Sequence, residues 1–166
     1  MDAYHELAKS YDRLTNDVDY EATVEFYLQI LQREGMKPRT VVDLACGTGS
    51  VTEILARKGY EITGVDMSEE MLTEAAMKTM DMEQPPMYSC QLLQNLRLPR
   101  GVDMAVCALD SLDYILDPDD CKEAIRQICQ KIKRRNENEK TDCSSVGSGY
   151  GHWPGRLWRR DRSRSN

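Results

Sequence analysis

Apolar positions along the chain alternate between two periods. Residues 4–14, "YHELAKSYDRL", and 20–35, "YEATVEFYLQILQREG", repeat apolar side chains every three or four positions, which predicts two amphipathic helices, the second stopped by Gly35. Residues 40–45 form a continuous apolar, β-branched run, the pattern of a buried strand. The helical period returns at 50–59, starting near Thr48 or Ser50 and ending at Gly59. A second strand is predicted over 61–66, then a helix over 68–80 with Ser68 as N-cap and Met71 three residues on. Pro85 and Pro86 break the chain. Strands are predicted at 87–93 and 102–109, and a last helix over 119–135, opened by a turn at Pro118, Asp119 and Asp120.

Strand, helix, strand, helix, strand, strand, helix is the order of an α/β domain on a mostly parallel sheet. Ligands of such sheets bind beyond the carboxyl ends of the strands, near the point where strand order reverses. Three regions are expected: an N-terminal helical segment over 1–36, an α/β core over 37–135, and a tail over 136–166. The tail has no strand-length apolar run and is rich in Gly, Ser and Arg.

Composition sharpens this outline. A chain of 166 residues, 40 % hydrophobic and 30 % charged, suits one soluble globular domain. No apolar run approaches the roughly 20 residues that span a bilayer, and "MDAYHELAKSYD" has neither a basic nor an apolar leader region, so a cytoplasmic protein with no membrane partner is expected. Six cysteines are scattered without a C-x-x-C pair and read as reduced, small apolar residues. His5 and His152 have no metal-ligand neighbours, so no metal is expected. The net charge of −6 is uneven: from Lys131 onward there are ten Lys or Arg against four Asp or Glu, and the body of the chain is strongly acidic.

The candidate chemistry sits at two strand ends. Gly47 and Gly49 lie between the first strand and a helix, where the backbone can turn tightly and a ligand can approach the main chain; a tight turn alone would also use them. Asp66 ends the second strand, about 20 residues on, where a carboxylate can accept both hydroxyls of a ribose or simply face the next helix's dipole. Asp43 decides between cofactor types. A carboxylate at the mouth of the glycine loop repels a pyrophosphate and favours a cationic ligand. A nicotinamide-dependent oxidoreductase would require a glycine at Ala45, a small residue near Thr52 and no acid at Asp43.

Asp43-Leu44-Ala45-Cys46-Gly47-Thr48-Gly49, followed by Gly64-Val65-Asp66-Met67-Ser68 and Met71-Leu72, resembles the first two motifs of the class I S-adenosylmethionine-dependent methyltransferases. The resemblance implies a Rossmann-like sheet and S-adenosyl-L-methionine as cofactor. Asp43 would lie near the methionine ammonium, residues 45–49 along the methionyl and ribose parts, Asp66 at the ribose hydroxyls, and Met67 over one face of the adenine, with Met71 a further cofactor-binding candidate. Residues 4–31 are similar to the lid of a bacterial branch of that family, which makes Tyr4, Tyr11 and Tyr20 candidates to close over the cofactor or to pack helices. Asp110-Ser111-Leu112-Asp113-Tyr114-Ile115 is similar to that branch's methyl-transfer motif, or starts a helix. Asp110 is the cofactor-side candidate there, no residue stands out as a general base, and the methyl acceptor is unspecified.

The chain departs from the family at two places. Leu92 stands where an acid usually reaches the adenine amino group, so one hydrogen bond is expected to be missing. After residue 133 the resemblance stops, which fits a frameshifted or misjoined end, a disordered extension, or, less well given the acidic body, an Arg- and Trp-bearing nucleic-acid contact. Without a further strand the fourth strand would keep an apolar free edge, so self-association, or a non-catalytic cofactor-binding fragment, is the alternative expectation.

Overall fold

The computed structural model describes residues 17–109 and 115–133, together with Thr15 and Leu112. Helix α1 spans Tyr20–Arg33. Its N-cap is Asp19, whose side chain accepts the Ala22 amide at 2.8 Å. Strand β1 (Thr40–Leu44), helix α2 (Ser50–Arg57), strand β2 (Glu61–Asp66) and helix α3 (Glu69–Thr79) follow as expected from their periods, and strand β3 (Met87–Cys90) comes next. Strand β4 (Met104–Val106) and helix α4 (Pro118–Lys131) complete the described core. The expected helix at 4–14 and the tail at 136–166 lie outside the described residues.

The four strands form one parallel sheet in the order β3-β2-β1-β4. Strand β1 is central, which is why all five of its residues are buried and its sequence is a continuous run. Alternate residues feed opposite faces. Val41, Ile62 and Val106 pack with Val24, Val51 and Leu55 of α1 and α2. Val42, Leu44 and Val65 pack with Leu93, Leu96, Val102 and Ala124 on the α4 side. The chain runs outward from β1 to β3, then returns to the far side of β1, so the strand order reverses between β1 and β4.

Three element boundaries differ from the sequence expectation. The third strand stops at Cys90, because the Gln91 side chain bonds the Arg97 amide (2.7 Å) and carbonyl (3.1 Å), folding the chain into a 3-10 turn at Leu93–Asn95. That turn buries Leu93 and Leu96, which explains the apolar run without a strand. The fourth strand is confined to three residues: Asp103 before it is taken up by the Arg39 and Thr40 amides, and Leu109 after it has φ +59. Helix α4 is capped by Asp117, with Pro118 in its first turn, and its last helical residue is Lys131. Ile132 leaves the helix extended and bridges Val102 in parallel, through Val102 N to Lys131 O (2.8 Å) and Lys133 N to Val102 O (2.7 Å).

Candidate functional site

Residues 45–49 leave β1 through three left-handed conformations, at Ala45 (φ +52), Gly47 (φ +54) and Gly49 (φ +76). Glycine is the residue that adopts this region without cost, and Ala45 holds it under strain. A Cβ on Gly49 would also sit 2.9 Å from Ala75 Cβ of α3. The loop is tied to β2: the Cys46 amide donates to Val65 O at 3.0 Å and the Gly47 amide to Asp66 Oδ2 at 2.9 Å. Gly49 is the N-cap of α2 and supplies no side-chain cap, so the first amides of that helix need acceptors from elsewhere.

Asp43 supplies one. It lies on β1 between Gly64 of β2 and Val106 of β4, and it is 1 % exposed. Its Oδ2 accepts the Thr52 hydroxyl at 2.6 Å. Burial pushes its pKa up to about 7; the Thr52 hydroxyl opposes this, and the negative charge of Asp66 adds to the rise. No Lys or Arg among the described residues pairs with it. A buried carboxylate so placed is stabilised by any cation that reaches it.

Asp66 is held open-handed by the main chain. Its Oδ2 accepts Gly47 N and its Oδ1 accepts Ser68 N, both at 2.9 Å. A carboxylate has about four acceptor positions, so two amide bonds orient it and leave capacity for two hydroxyls. Met67, next to it, is 69 % exposed, whereas Met71 is buried in α3 with its amide on the Ser68 hydroxyl at 3.2 Å. Met71 is therefore buried, whereas Met67 stands open. Thr48 is also buried, and Cys46 is half-buried with its thiol pKa pushed up chiefly by burial, which makes it a poor nucleophile.

A recess of about 40 Å³ opens where β1 and β4 part, lined by Tyr20, Asp43, Ala45, Gly47, Ala108 and Leu109 among others. The structure thus brings Tyr20, from the predicted lid segment, to the same recess as Asp43. Tyr4, Tyr11 and Asp110 lie outside the described residues. Sequence reasoning missed Thr52, although a fully buried Thr on an apolar helix face was a legible signal. It also missed Tyr88, whose ring crosses Gly64: a Cβ there would lie 2.8 Å from Tyr88 Cδ1. The Tyr88 hydroxyl meets Thr79 Oγ1 at 3.2 Å, and burial raises its pKa to about 12.

A parallel sheet reversing between β1 and β4, with an acid at the end of each of the two strands that flank a glycine turn, defines a class, and comparison with known proteins gives it a family. Residues 41–135 match the model of the methyltransferase domain, and the chain belongs to that family, with the Rossmann-like fold of the class I methyltransferases. It is 34 % identical over 134 residues to the methyltransferase-family protein YqeM of Bacillus subtilis, covering 78 % of this chain and 51 % of the relative. It is 30 % identical over 100 residues to a ubiquinone biosynthesis O-methyltransferase of Idiomarina loihiensis, covering 59 % and 39 %. Among solved structures it is similar to an S-adenosylmethionine-dependent methyltransferase from Clostridium acetobutylicum, with 36 % identity, TM-score 0.70, and 78 % and 53 % of the two chains covered. The chain spans about half the length of the relatives and structures it matches.

Proposed function

We propose that this chain binds S-adenosyl-L-methionine at the carboxyl ends of β1 and β2 and serves methyl transfer to an acceptor. The observation that carries the reading is Asp43: a buried carboxylate with a hydroxyl partner and no cation among the described residues, at the mouth of a glycine loop. The residues suit the cofactor. Asp43 faces its ammonium, Ala45, Cys46, Gly47, Thr48 and Gly49 run along its methionyl and ribose parts, Asp66 takes the ribose hydroxyls, and Met67 covers the adenine. Met71 and Asp110 are the further cofactor-side candidates. Bound there, the cofactor supplies an electrophilic sulfonium methyl; the protein's part is to align an acceptor with it and exclude water. Residues 1–36 act as the lid, with Tyr20 at the recess, 37–135 as the cofactor domain, and 136–166 as an appended tail.

The setting proposed is cytoplasmic, with no nucleic-acid partner. No helix among the described residues is long and apolar enough to cross a membrane. Ahead of β4, Val102 bridges Ile132, and copies of the chain associate along the outer edge of β4 itself; size-exclusion chromatography with light scattering showing only monomer across a range of concentrations would remove that part of the proposal. A second reading is cofactor binding without turnover.

The test is a thermal melt with S-adenosylhomocysteine, using NAD as the control ligand. A ligand at about 100 times its Kd stabilises the folded state by roughly 2.7 kcal/mol. A rise with S-adenosylhomocysteine alone supports the cofactor reading. A cooperative melt that neither ligand moves overturns it. Single-turnover assays against candidate acceptors then separate the enzyme from the non-catalytic cofactor binder.

A further inference from the structure

We propose that Thr52 is a positioning residue for the cationic head of the ligand: its hydroxyl fixes the Asp43 carboxylate in the orientation that receives an ammonium. The inference rests on the cofactor reading above. Thr52 lies in the first turn of α2 and is 0 % exposed, on the helix face that packs against β1. Its hydroxyl donates to Asp43 Oδ2 at 2.6 Å, a short contact between two buried groups nine residues apart in sequence.

Helix α2 begins at a glycine without a side-chain cap, and the hydroxyl of Thr52 in its first turn donates to the Asp43 carboxylate on β1 and so aims it. With the hydroxyl on Oδ2, the carboxylate rotamer is set and its remaining capacity is turned to the recess it lines with Gly47 and Ala108. Thr52 therefore does two things a valine cannot. It orders Asp43 before the ligand arrives, and it stabilises the ionised form that attracts the ligand. The other titratable groups acting on this region are Asp66 of β2, Cys46 of the loop, Tyr27 of α1, Glu53 of α2, Tyr88 of β3 and Cys107 beyond β4; none of these is a cation. The Thr52 hydroxyl is thus the main side-chain influence favouring ionised Asp43.

The experiment measures binding of S-adenosylhomocysteine and of 5′-methylthioadenosine to the full chain, by calorimetry between pH 5.5 and 8.5. The second ligand keeps the nucleoside and lacks the amino-acid head. Wild-type chain, Thr52→Val and Thr52→Ser are compared, with thermal melts of each. Thr52→Val is expected to weaken S-adenosylhomocysteine about tenfold near neutral pH, to move the midpoint of its pH dependence upward by about one unit, and to leave 5′-methylthioadenosine unchanged. Thr52→Ser is expected to restore the wild-type midpoint. Equal loss of both ligands in Thr52→Val, or an unmoved midpoint, overturns the proposal. Should Thr52→Val not fold, Thr52→Ser decides alone: it must keep the wild-type midpoint, and a shifted one overturns the proposal. If the wild-type chain binds neither ligand, the cofactor reading itself fails, a result distinct from any of these.

Discussion

Asp43→Asn should make the ligand-free chain more stable above neutral pH while removing its ligand. The pKa of Asp43 rises from 3.8 to about 7, with burial as the main cause. A folded-state pKa above the unfolded one means that the stabilisation is complete below about pH 4 and is lost as pH rises through about 7. At about 1.4 kcal/mol per pKa unit, ionising Asp43 costs the folded chain roughly 4 kcal/mol by pH 8, of which roughly 2–3 kcal/mol accrues between pH 5 and pH 8. Asparagine still accepts the Thr52 hydroxyl and never ionises, so the variant lacks this loss. Relative to wild type it should gain roughly 5–10 °C in Tm on going from pH 5 to pH 8, taking about 2–4 °C per kcal/mol. The measurement is the difference in Tm between the two proteins at both pH values, which cancels any constant cost of the amide. Binding should move the other way, with S-adenosylhomocysteine affinity falling at least about 30-fold, or roughly 2 kcal/mol, as a buried charge pair is lost. A Tm difference that does not change with pH would refute the burial argument. Unchanged affinity would refute the placement of the ligand's cation at Asp43.

Three further outcomes follow. Gly49→Ala must place a Cβ 2.9 Å from Ala75 Cβ at φ +76, so it should cost roughly 2–4 kcal/mol in urea melts, whereas Gly47→Ala, with nothing within 4 Å, should cost only about 1 kcal/mol. Leu92→Asp supplies an acceptor at an exposed position beyond β3 and should tighten S-adenosylhomocysteine by about fivefold, roughly 1 kcal/mol, without tightening S-inosylhomocysteine, whose base has no amino group to donate; equal effects on both would place the adenine elsewhere. Asp103→Asn should lower Tm at neutral pH. The Thr40 and Arg39 amides and Lys133 hold the Asp103 carboxyl well below the usual carboxylate range, so the difference from wild type should shrink as pH falls below about 4.

What was legible in the sequence is what local order carries. The continuous run at β1, the glycines after it and the acid at the end of β2 are short-range signals, and the parallel sheet with Asp43 and Asp66 at neighbouring strand ends is where they led. Leu92 and Leu93 read the same whether an apolar residue enters a strand or a buried turn; only the Gln91 to Arg97 bonds, made by a side chain reaching six residues on, decide for the turn. Met67 and Met71 are one helical turn apart in sequence, and only the fold shows that the first is exposed and the second buried in α3. Thr40, Asp103 and Lys133 are separated by as many as 93 residues, and nothing local announces their meeting.

The two ends of β1 treat the same chemistry in opposite ways. At the amino end, Asp103 accepts the Arg39 amide, the Thr40 amide and the Thr40 hydroxyl, each at 2.9 Å, and pairs with Lys133 at 2.9 Å. Its charge is satisfied where strands β1 and β4 and the end of α4 converge, so it favours the folded state. At the carboxyl end, Asp43 is buried with Thr52 as its side-chain partner, and its charge opposes folding at neutral pH. Strain sits at that end as well, in the positive φ angles of Ala45 and Leu109, both lining the recess. A carboxylate needed only for stability would be surrounded as Asp103 is. One left short of partners, beside strained backbone, is stabilised only when a ligand completes it. Binding energy at the carboxyl end therefore has to offset a deficit that the rest of the fold carries, and affinity for a cationic ligand should rise with pH through the Asp43 range while the stability of the ligand-free chain falls. If both instead rose together, the deficit would lie elsewhere, and Asp43 would be a remote cap for α2 rather than a receptor for a cation.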